Sequence, residues 1–244
     1  MTAGRPFGKV DIVHHLADRY AYRRYLEIAT PTTGNYYASI DRDRFDDCRR
    51  LMYRCPETFD DGLAIDYRCR DFDIGNALAA IAAERRRFDV MLVDPFHDYR
   101  DSARDLATAF ALLEPGGALV VHDCLPPREA LAGPEFKRGA WCGVTYKAFI
   151  DFVLARRDLR YLTVDADYGC GVIRKLKPKR PGLFAAPLLA RRRQARDRSR
   201  LVKARRALGK DYATAWRLFE PNRVALLNLI SVNAFRAGPA ALDN

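Results

Sequence analysis

The pattern of apolar and polar residues between Phe88 and Pro127 predicts the central unit of the fold. Residues Val90–Val93 form an apolar run typical of a strand buried on both faces, and Ala118–Val121 form a second one. Between the two runs, apolar residues recur at helical spacing, at Leu106, Ala109, Phe110 and Leu113. Two buried strands joined by one helix predict a parallel strand–helix–strand unit.

Similar patterns on both sides extend this unit into a larger sheet. The other predicted strands cover residues 25–29, 50–53, 63–67, 160–164 and 171–174. The other predicted helices cover residues 8–21, 74–87, 146–155 and 191–208. Because only residues 165–170 separate the last two strands, we expect them to form an antiparallel hairpin. The prediction is an α/β fold with a doubly wound, mostly parallel sheet and a terminal hairpin.

The same reading divides the chain into four parts. An N-terminal helix lies within residues 1–21, the α/β domain covers 22–175, a basic linker and helix cover 176–210, and a helical extension covers 211–244. The extension carries an apolar stripe from Trp216 to Ile230 that needs a partner surface. Either the stripe docks on the core of the same chain or it forms a homodimer contact.

Composition limits the classes of protein that this chain can belong to. Its 244 residues can bury one full core, and its 49% hydrophobic and 30% charged residues are ordinary for a soluble protein. No apolar stretch has the length of a membrane span, so we expect no integral membrane protein. The first 20 residues lack an apolar signal core, which favours a cytoplasmic location. The six cysteines form no C-x-x-C pair, which argues against a structural zinc site.

The net charge of +11 comes from one segment. Residues 174–210 contain 15 lysines and arginines and a single acid, Asp197, so the rest of the chain is slightly acidic. Such a segment could bind nucleic acid or an anionic surface. A solvated connector explains the same composition equally well, because the segment lacks the interleaved aromatic residues that stack on bases.

Candidate chemistry lies where the two central strands end. Asp94 and His97 follow the first strand, and His122 and Asp123 follow the second. Ligands of parallel α/β sheets bind at the carboxyl ends of the strands, so we expect Asp94, His97 and Asp123 to lie together. Since side chains alternate along a strand, His122 is expected to point away from Asp123.

Three motifs give the chain a family resemblance. They are YLEIATPTTG at residues 25–34, FDVMLVDPFHDY at residues 88–99, and LLEPGGALVVHD at residues 112–123. With them, residues 22–175 resemble the class I S-adenosylmethionine-dependent methyltransferases, which have a Rossmann-like fold. The chain is most similar to the branch of the macrocin-type sugar O-methyltransferases.

This resemblance implies an enzyme that methylates a hydroxyl of a small molecule or a saccharide. S-adenosylmethionine would be bound by Glu27, Ala29, Thr33, Gly34, Asp71, Asp73 and Asp94. His97 would act as the general base beside Asp94, and an imidazole is suited to that work near neutral pH. Asp94 and Asp123 are the candidate ligands of Mg²⁺, which could orient the acceptor.

The chain departs from the family pattern in three places. Ala29 stands where the first glycine of the cofactor loop is usual, and the acid that follows strand two is replaced by Arg54 or Cys55, with Glu57 as a nearby substitute. His122-Asp123 stands where metal-dependent members have two acids. Two alternatives therefore stay open: a non-catalytic scaffold with this fold, and a nucleic-acid methyltransferase anchored by residues 174–210.

Overall fold

The computed structural model of the protein describes residues 6–32, 36–178 and 211–243. Within these ranges the strands form one sheet in the order β3-β2-β1-β4-β5-β7-β6-β8. The strands are β1 (Arg24–Ala29), β2 (Asp47–Met52), β3 (Tyr67–Arg68), β4 (Phe88–Val93), β5 (Leu113–Val121), β6 (Leu159–Val164), β7 (Cys170–Lys175) and β8 (Leu229–Ile230).

Helices cover both faces of this sheet. They are α1 (Lys9–Tyr20), α2 (Gly75–Ala83), α3 (Tyr99–Leu112), α4 (Thr145–Ala155), α5 (Tyr212–Leu227) and α6 (Val232–Arg236). The apolar residues of α1 pack on one face against those of β1, β4 and β5, including Tyr25, Val90 and Val120. Residues of α2 to α5 pack on the opposite face. The central strands are thus buried on both faces, as their apolar runs predict.

The pairing of the strands confirms the predicted fold class. β1, β4 and β5 are parallel neighbours, while β6 and β7 form the antiparallel hairpin expected from their short connection. The register places Ile28 opposite Val93 and Val93 opposite Val121. Because these three residues are level, the chain leaves β1, β4 and β5 at the same edge of the sheet. The residues that directly follow Val93 and Val121 therefore lie close together at this edge.

The two strands on one side of the sheet, β2 and β3, differ from their predictions. β2 begins at Asp47, three residues before the predicted start, although its first half is charged. Those charges are paired, since Arg49 contacts Asp47 at 2.7 Å and Asp66 at 2.6 Å. The third strand, predicted at residues 63–67, is wrong in position, because only Tyr67 and the next residue pair with β2. The residues before it form a loop that contributes carboxylates to β2.

The C-terminal extension packs on the domain of its own chain. Trp216, Phe219, Leu226 and Leu227 of α5 are buried in the larger core cluster, and β8 adds a parallel strand beside β6. The buried part of the predicted apolar stripe is thus covered by α4 and β6. The predicted helix at 191–208 and most of the basic segment lie outside the described residues. In the part of the chain that is described, no helix is long and apolar enough to span a membrane.

We predict that α5 contributes much of its stabilising energy through Phe219. Its ring is fully buried, with its centroid 4.5 Å from that of Tyr146. Phe219→Ala should lower the free energy of unfolding by about 4 kcal/mol, because it removes buried apolar area and leaves a cavity. Val224→Ala on the same helix is the control, since Val224 is 63% exposed and should change stability by less than about 0.5 kcal/mol. Urea unfolding measures both; equal effects would mean that α5 is not docked.

Candidate active site

Asp94 lies at the carboxyl end of β4, where its backbone N–H donates to the carbonyl of Ile28. It is 1% exposed. Lys9 Nζ from α1 donates to Oδ2 at 2.9 Å, and His97 Nε2 lies 3.3 Å from Oδ1. Burial alone would raise the pKa of Asp94, but the positive charges of Lys9 and His122 hold it well below its usual value. Asp94 is therefore an ionised carboxylate in the protein interior.

His97 presents both ring nitrogens to hydrogen-bond acceptors. Nδ1 lies 2.7 Å from the backbone carbonyl oxygen of Trp141. Nε2 faces carboxylate oxygens of Asp94, at 3.3 Å, and of Asp123, at 2.9 Å. Burial alone would lower the pKa of His97, but the carboxylates of Asp123 and Asp94 raise it to about 9. The ring is thus an imidazolium that donates on both sides.

The backbone around His97 is held in place from several directions. His97 itself has a left-handed conformation, with φ of +70°. Phe96 N–H donates to Tyr53 Oη at 2.8 Å, and Val144 N–H donates to the His97 carbonyl at 2.8 Å. Gly143 approaches so closely that a Cβ added to it would lie 2.1 Å from the His97 carbonyl oxygen. The surroundings therefore impose a backbone conformation that a histidine seldom adopts.

His122 does not point away from the site, contrary to the expectation from strand alternation. Alternation places His122 on the face that α1 covers, and Asp123 has a φ of +59°, which turns its carboxylate to the same side. His122 Nδ1 lies 2.9 Å from Asp123 Oδ2 and 3.4 Å from Asp94 Oδ1. Alternation fails here because it assumes an extended backbone through Asp123.

The contacts of His122 are ion pairs rather than directed hydrogen bonds. Its Nε2 lies 3.2 Å from Asp167 Oδ1, yet neither ring nitrogen has a partner of hydrogen-bond geometry among the described residues. Burial alone would lower the pKa of His122, but the charges of Asp94 and Asp123 raise it well above its usual value. His122 is a second buried cation beside the same carboxylates.

Lys9 and Asp167 belong to this site as well, and sequence reasoning missed both. Lys9 is 1% exposed, and its Nζ lies 4.0 Å from Asp167 Oδ2 and 3.4 Å from the centroid of the Tyr36 ring. No local pattern in the sequence identifies them, because Lys9 is 85 residues from its carboxylate partner Asp94. With them the site contains three cations, Lys9, His97 and His122, and three carboxylates, Asp94, Asp123 and Asp167.

Four of these side chains direct ligand atoms into one space. One atom from each of Asp94, His97, His122 and Asp123 can be chosen such that all four lie within 4.8 Å of one another. That spacing is suited to a single metal ion. Two imidazole nitrogens with two carboxylate oxygens are typical of first-row transition ions, whereas Mg²⁺ prefers oxygen ligands. Both predicted metal ligands, Asp94 and Asp123, are members of the group.

Glu27, predicted to bind the cofactor, is buried within β1 on the same face of the sheet. Its Oε2 accepts a hydrogen bond from Tyr25 Oη at 3.0 Å, while Oε1 has no partner among the residues that the structure describes. Burial raises the pKa of Glu27 to about 7, although the Tyr25 hydroxyl and the charge of Arg50 lower it. A buried carboxyl group with one unused oxygen is suited to a ligand that carries a positive charge or a donor group.

Asp71 and Asp73, also predicted to bind the cofactor, lie beside an open cleft of about 530 Å³. Each carboxylate uses one oxygen in a local turn: Asp71 Oδ1 accepts from Asp73 N–H, and Asp73 Oδ1 accepts from Gly75 N–H at the start of α2, both at 2.8 Å. The cleft lies between the loop before α2 and the first turn of α3, and is lined by Asp71, Phe72, Asp73, Asp98, Arg100, Asp101 and Arg104.

The predicted glycine loop is only partly described. Ala29 is the last residue of β1, and its carbonyl accepts a hydrogen bond from Tyr53 N–H. Thr33 and Gly34, predicted to bind the cofactor, lie outside the described residues.

No acid takes the position after β2. Arg54 occupies it with a left-handed backbone, and its guanidinium carbon lies 4.0 Å from the centroid of the Phe96 ring and 4.7 Å from that of Phe72. Glu57, considered as a substitute, is exposed and forms an ion pair with Arg70. The structure thus places a cation stacked on aromatic rings where the family resemblance implies a carboxylate.

A comparison with protein families finds a match over the central strands. A family model described as "Methyltransferase domain" matches residues 20–124, which include β1 to β5 and the residues Asp94, His97, His122 and Asp123. Residues 20–124, somewhat less than half of the chain, are thus similar to a methyltransferase domain. The match ends just after Asp123. Val144, whose N–H donates to the His97 carbonyl, therefore lies outside it. A comparison with curated protein sequences gives no match.

Solved structures similar to this chain include two O-methyltransferases, and the first supports the same fold. TomG from Streptomyces achromogenes, an O-methyltransferase of tomaymycin synthesis solved with S-adenosylmethionine, is 19% identical with a TM-score of 0.51. The alignment covers 69% of this chain and 79% of TomG. An O-methyltransferase from Bacillus cereus, solved with S-adenosylhomocysteine, is 17% identical with a TM-score of 0.49, covering 68% and 80% of the two chains.

We predict that Gly143→Ala disturbs the site strongly. The new methyl group would overlap the His97 carbonyl, and Gly143 already has a φ of +57°. The free energy of unfolding should fall by about 2 kcal/mol or more, because both the contact and the backbone conformation become strained. Gly133→Ala is the matched control, since a Cβ there meets nothing within 4 Å. Denaturant unfolding of both variants tests the close approach, which equal stabilities would contradict.

The raised pKa of Glu27 makes a further prediction about stability. The folded pKa of about 7 lies above the ordinary 4.5, so the folded state binds more protons between these values and loses stability as the pH rises through them. Relative to Glu27→Gln, the wild type should lose up to about 3 kcal/mol between pH 4.5 and 7. Urea unfolding at pH 5 and pH 8 measures the difference, with the exposed Glu220→Gln as control. A difference that does not change with pH would contradict the burial of the charge.

Proposed function

We propose that this protein transfers the methyl group of S-adenosylmethionine to a hydroxyl of a small molecule or a saccharide, in the manner of the macrocin-type branch. The observation that carries the proposal is the meeting of Asp94, His97, His122 and Asp123 at the carboxyl ends of β4 and β5. Hydroxyl methylation needs a proton acceptor beside the acceptor oxygen, and an orienting group that fixes its approach. The cluster offers candidates for both roles.

The cofactor would lie across the carboxyl edge of the sheet. Glu27 Oε1, buried and without a described partner, is suited to the ammonium of its methionine part. Asp71 and Asp73 line a cleft of a size suited to a nucleoside. Ala29, Thr33, Gly34 and Asp94 complete the proposed set. When bound, S-adenosylmethionine supplies an electrophilic methyl group on a sulfonium.

His97 is the proposed general base, and its contacts favour Nε2 as the atom that would act. The carbonyl of Trp141 accepts from Nδ1, so Nδ1 keeps its proton and the reactive nitrogen is Nε2. The carboxylates of Asp94 and Asp123 favour a proton on Nε2. His97 can accept a proton from the acceptor hydroxyl only after Nε2 has lost its own proton. The carboxylates of Asp94 and Asp123 would then need another positive charge beside them.

Asp94 and Asp123 are the proposed ligands of a divalent cation, joined by His122. A divalent cation carries the same charge as the two protons that make His97 and His122 imidazolium ions. The net charge of the cluster is therefore the same with the two protons as with the cation in their place. A cation bound there would supply charge stabilisation to an acceptor alkoxide. Because one of these three donors is an imidazole, Mn²⁺ or another first-row ion fits this set better than Mg²⁺. Lys9 would keep its contact with Asp94 Oδ2 and limit that carboxylate to one oxygen.

We predict that the protein binds S-adenosylmethionine and S-adenosylhomocysteine with micromolar affinity, measured by calorimetry with Mg²⁺, with Mn²⁺ and with neither. His97→Ala should keep cofactor binding within a few fold. Its turnover should fall about 10²- to 10⁴-fold, because the proton acceptor is lost. Turnover is measured as S-adenosylhomocysteine release with a panel of catechols and saccharides.

The control is His14→Ala, which removes a histidine of α1 that contacts Asp41 N–H. It should retain turnover. Full turnover of His97→Ala would refute the base assignment. Failure of the wild type to bind either cofactor under all conditions would favour the non-catalytic scaffold.

A further inference from the structure

Glu27 and Arg50 face each other across two central strands. The register of β1 and β2 places them directly opposite, so both side chains lie on the face of the sheet that α1 covers. Arg50 is fully buried, and Glu27 is 1% exposed. A buried arginine normally uses its donors in ion pairs and hydrogen bonds, so the contacts of this one are informative.

Arg50 leaves most of its guanidinium without a partner. Nη1 donates to Asp61 Oδ2 at 2.7 Å, and the guanidinium carbon lies 5.3 Å from the centroid of the Tyr37 ring. Nε and Nη2 are buried, yet neither meets an acceptor in the described chain. These two nitrogens form the edge of a guanidinium that binds a carboxylate through two parallel hydrogen bonds.

The unused atoms of the two residues have complementary chemistry. Glu27 offers one carboxylate oxygen, Oε1, and Arg50 offers two adjacent donors, Nε and Nη2. They are not an ion pair with each other; among the described residues the one ion-pair partner of Arg50 is Asp61. A group that carries both an ammonium and a carboxylate would satisfy all three atoms. That group is an α-amino acid.

We infer that Arg50 binds the carboxylate of the methionine part of S-adenosylmethionine while Glu27 binds its ammonium. This assignment rests on the proposed function and extends it by naming Arg50. It also accounts for the depleted cofactor loop. Ala29 replaces one glycine, and Pro31 has no backbone N–H, so the loop has one N–H fewer to offer a carboxylate. A buried guanidinium replaces backbone donors with a charged, bidentate one.

The test uses ligands that lack one group at a time, with calorimetry as the readout. S-adenosylhomocysteine has both groups, decarboxylated S-adenosylmethionine has only the ammonium, and 5′-methylthioadenosine has neither. Arg50→Gln should weaken the binding of S-adenosylhomocysteine by about 10- to 100-fold, since two charge-assisted hydrogen bonds are lost. The affinities for the other two ligands should change less than about threefold. Glu27→Gln should weaken both ligands that carry an ammonium and spare 5′-methylthioadenosine.

Two further variants separate binding from folding. Asp61→Asn removes the ion pair of Arg50 but keeps its guanidinium, so it should retain affinity for S-adenosylhomocysteine. Arg50→Lys keeps the charge but lacks the two-donor edge, and should show a smaller, still carboxylate-dependent loss. Equal loss for all three ligands in Arg50→Gln and Arg50→Lys, or no loss for S-adenosylhomocysteine, would overturn the assignment. If the wild type binds none of the three, the proposed function itself fails.

Discussion

A carboxylate without access to solvent needs cations beside it, and Asp94 obtains them from three separate parts of the chain. Lys9 comes from α1, His97 from the loop after β4, and His122 from the end of β5. Taking an ion out of water costs several kcal/mol, so a charged cluster is stable only if its members keep these positions together. The ionised state of Asp94 therefore depends on α1, β4 and β5 being docked at the same time.

The backbone at this edge follows from the same requirement. Extended strands would send alternate side chains to opposite faces, but the cluster needs both His122 and Asp123 on one face. The left-handed conformation of Asp123 makes that possible, as the left-handed conformation of His97 brings its ring back over Asp94. Non-glycine residues pay a conformational cost of about 1–3 kcal/mol for such angles. Both occur where the register of β4 and β5 ends, so strain and charge are concentrated at one site.

The sequence predicts what depends on local pattern and fails where distant residues meet. The β4–α3–β5 unit follows from apolar runs and helical spacing, and its parallel pairing brings Asp94, His97 and Asp123 together as expected. The predicted bounds of β3 are wrong because a short apolar stretch does not indicate which of its residues pair with β2. Lys9 and Asp167 could not be found, because a buried ion pair between distant segments has no periodic signature. The predicted orientation of His122 relative to Asp123 is wrong because strand periodicity does not indicate the positive φ of Asp123.

Buried polar atoms without hydrogen-bond partners bear on whether this protein binds a cofactor. Within the described residues, nine buried side-chain atoms lack hydrogen-bond partners, and five belong to Glu27, Arg50 and His122 on the face of the sheet beneath α1. The three atoms of Glu27 and Arg50 each cost about 1–3 kcal/mol while they stay unpaired, whereas the two of His122 lie in ion pairs. Folded proteins contain few unpaired buried atoms. A ligand with an amino acid end would remove that cost, both in an enzyme and in a non-catalytic scaffold that binds it. These atoms therefore weigh more in favour of cofactor binding than the depleted glycine loop weighs against it.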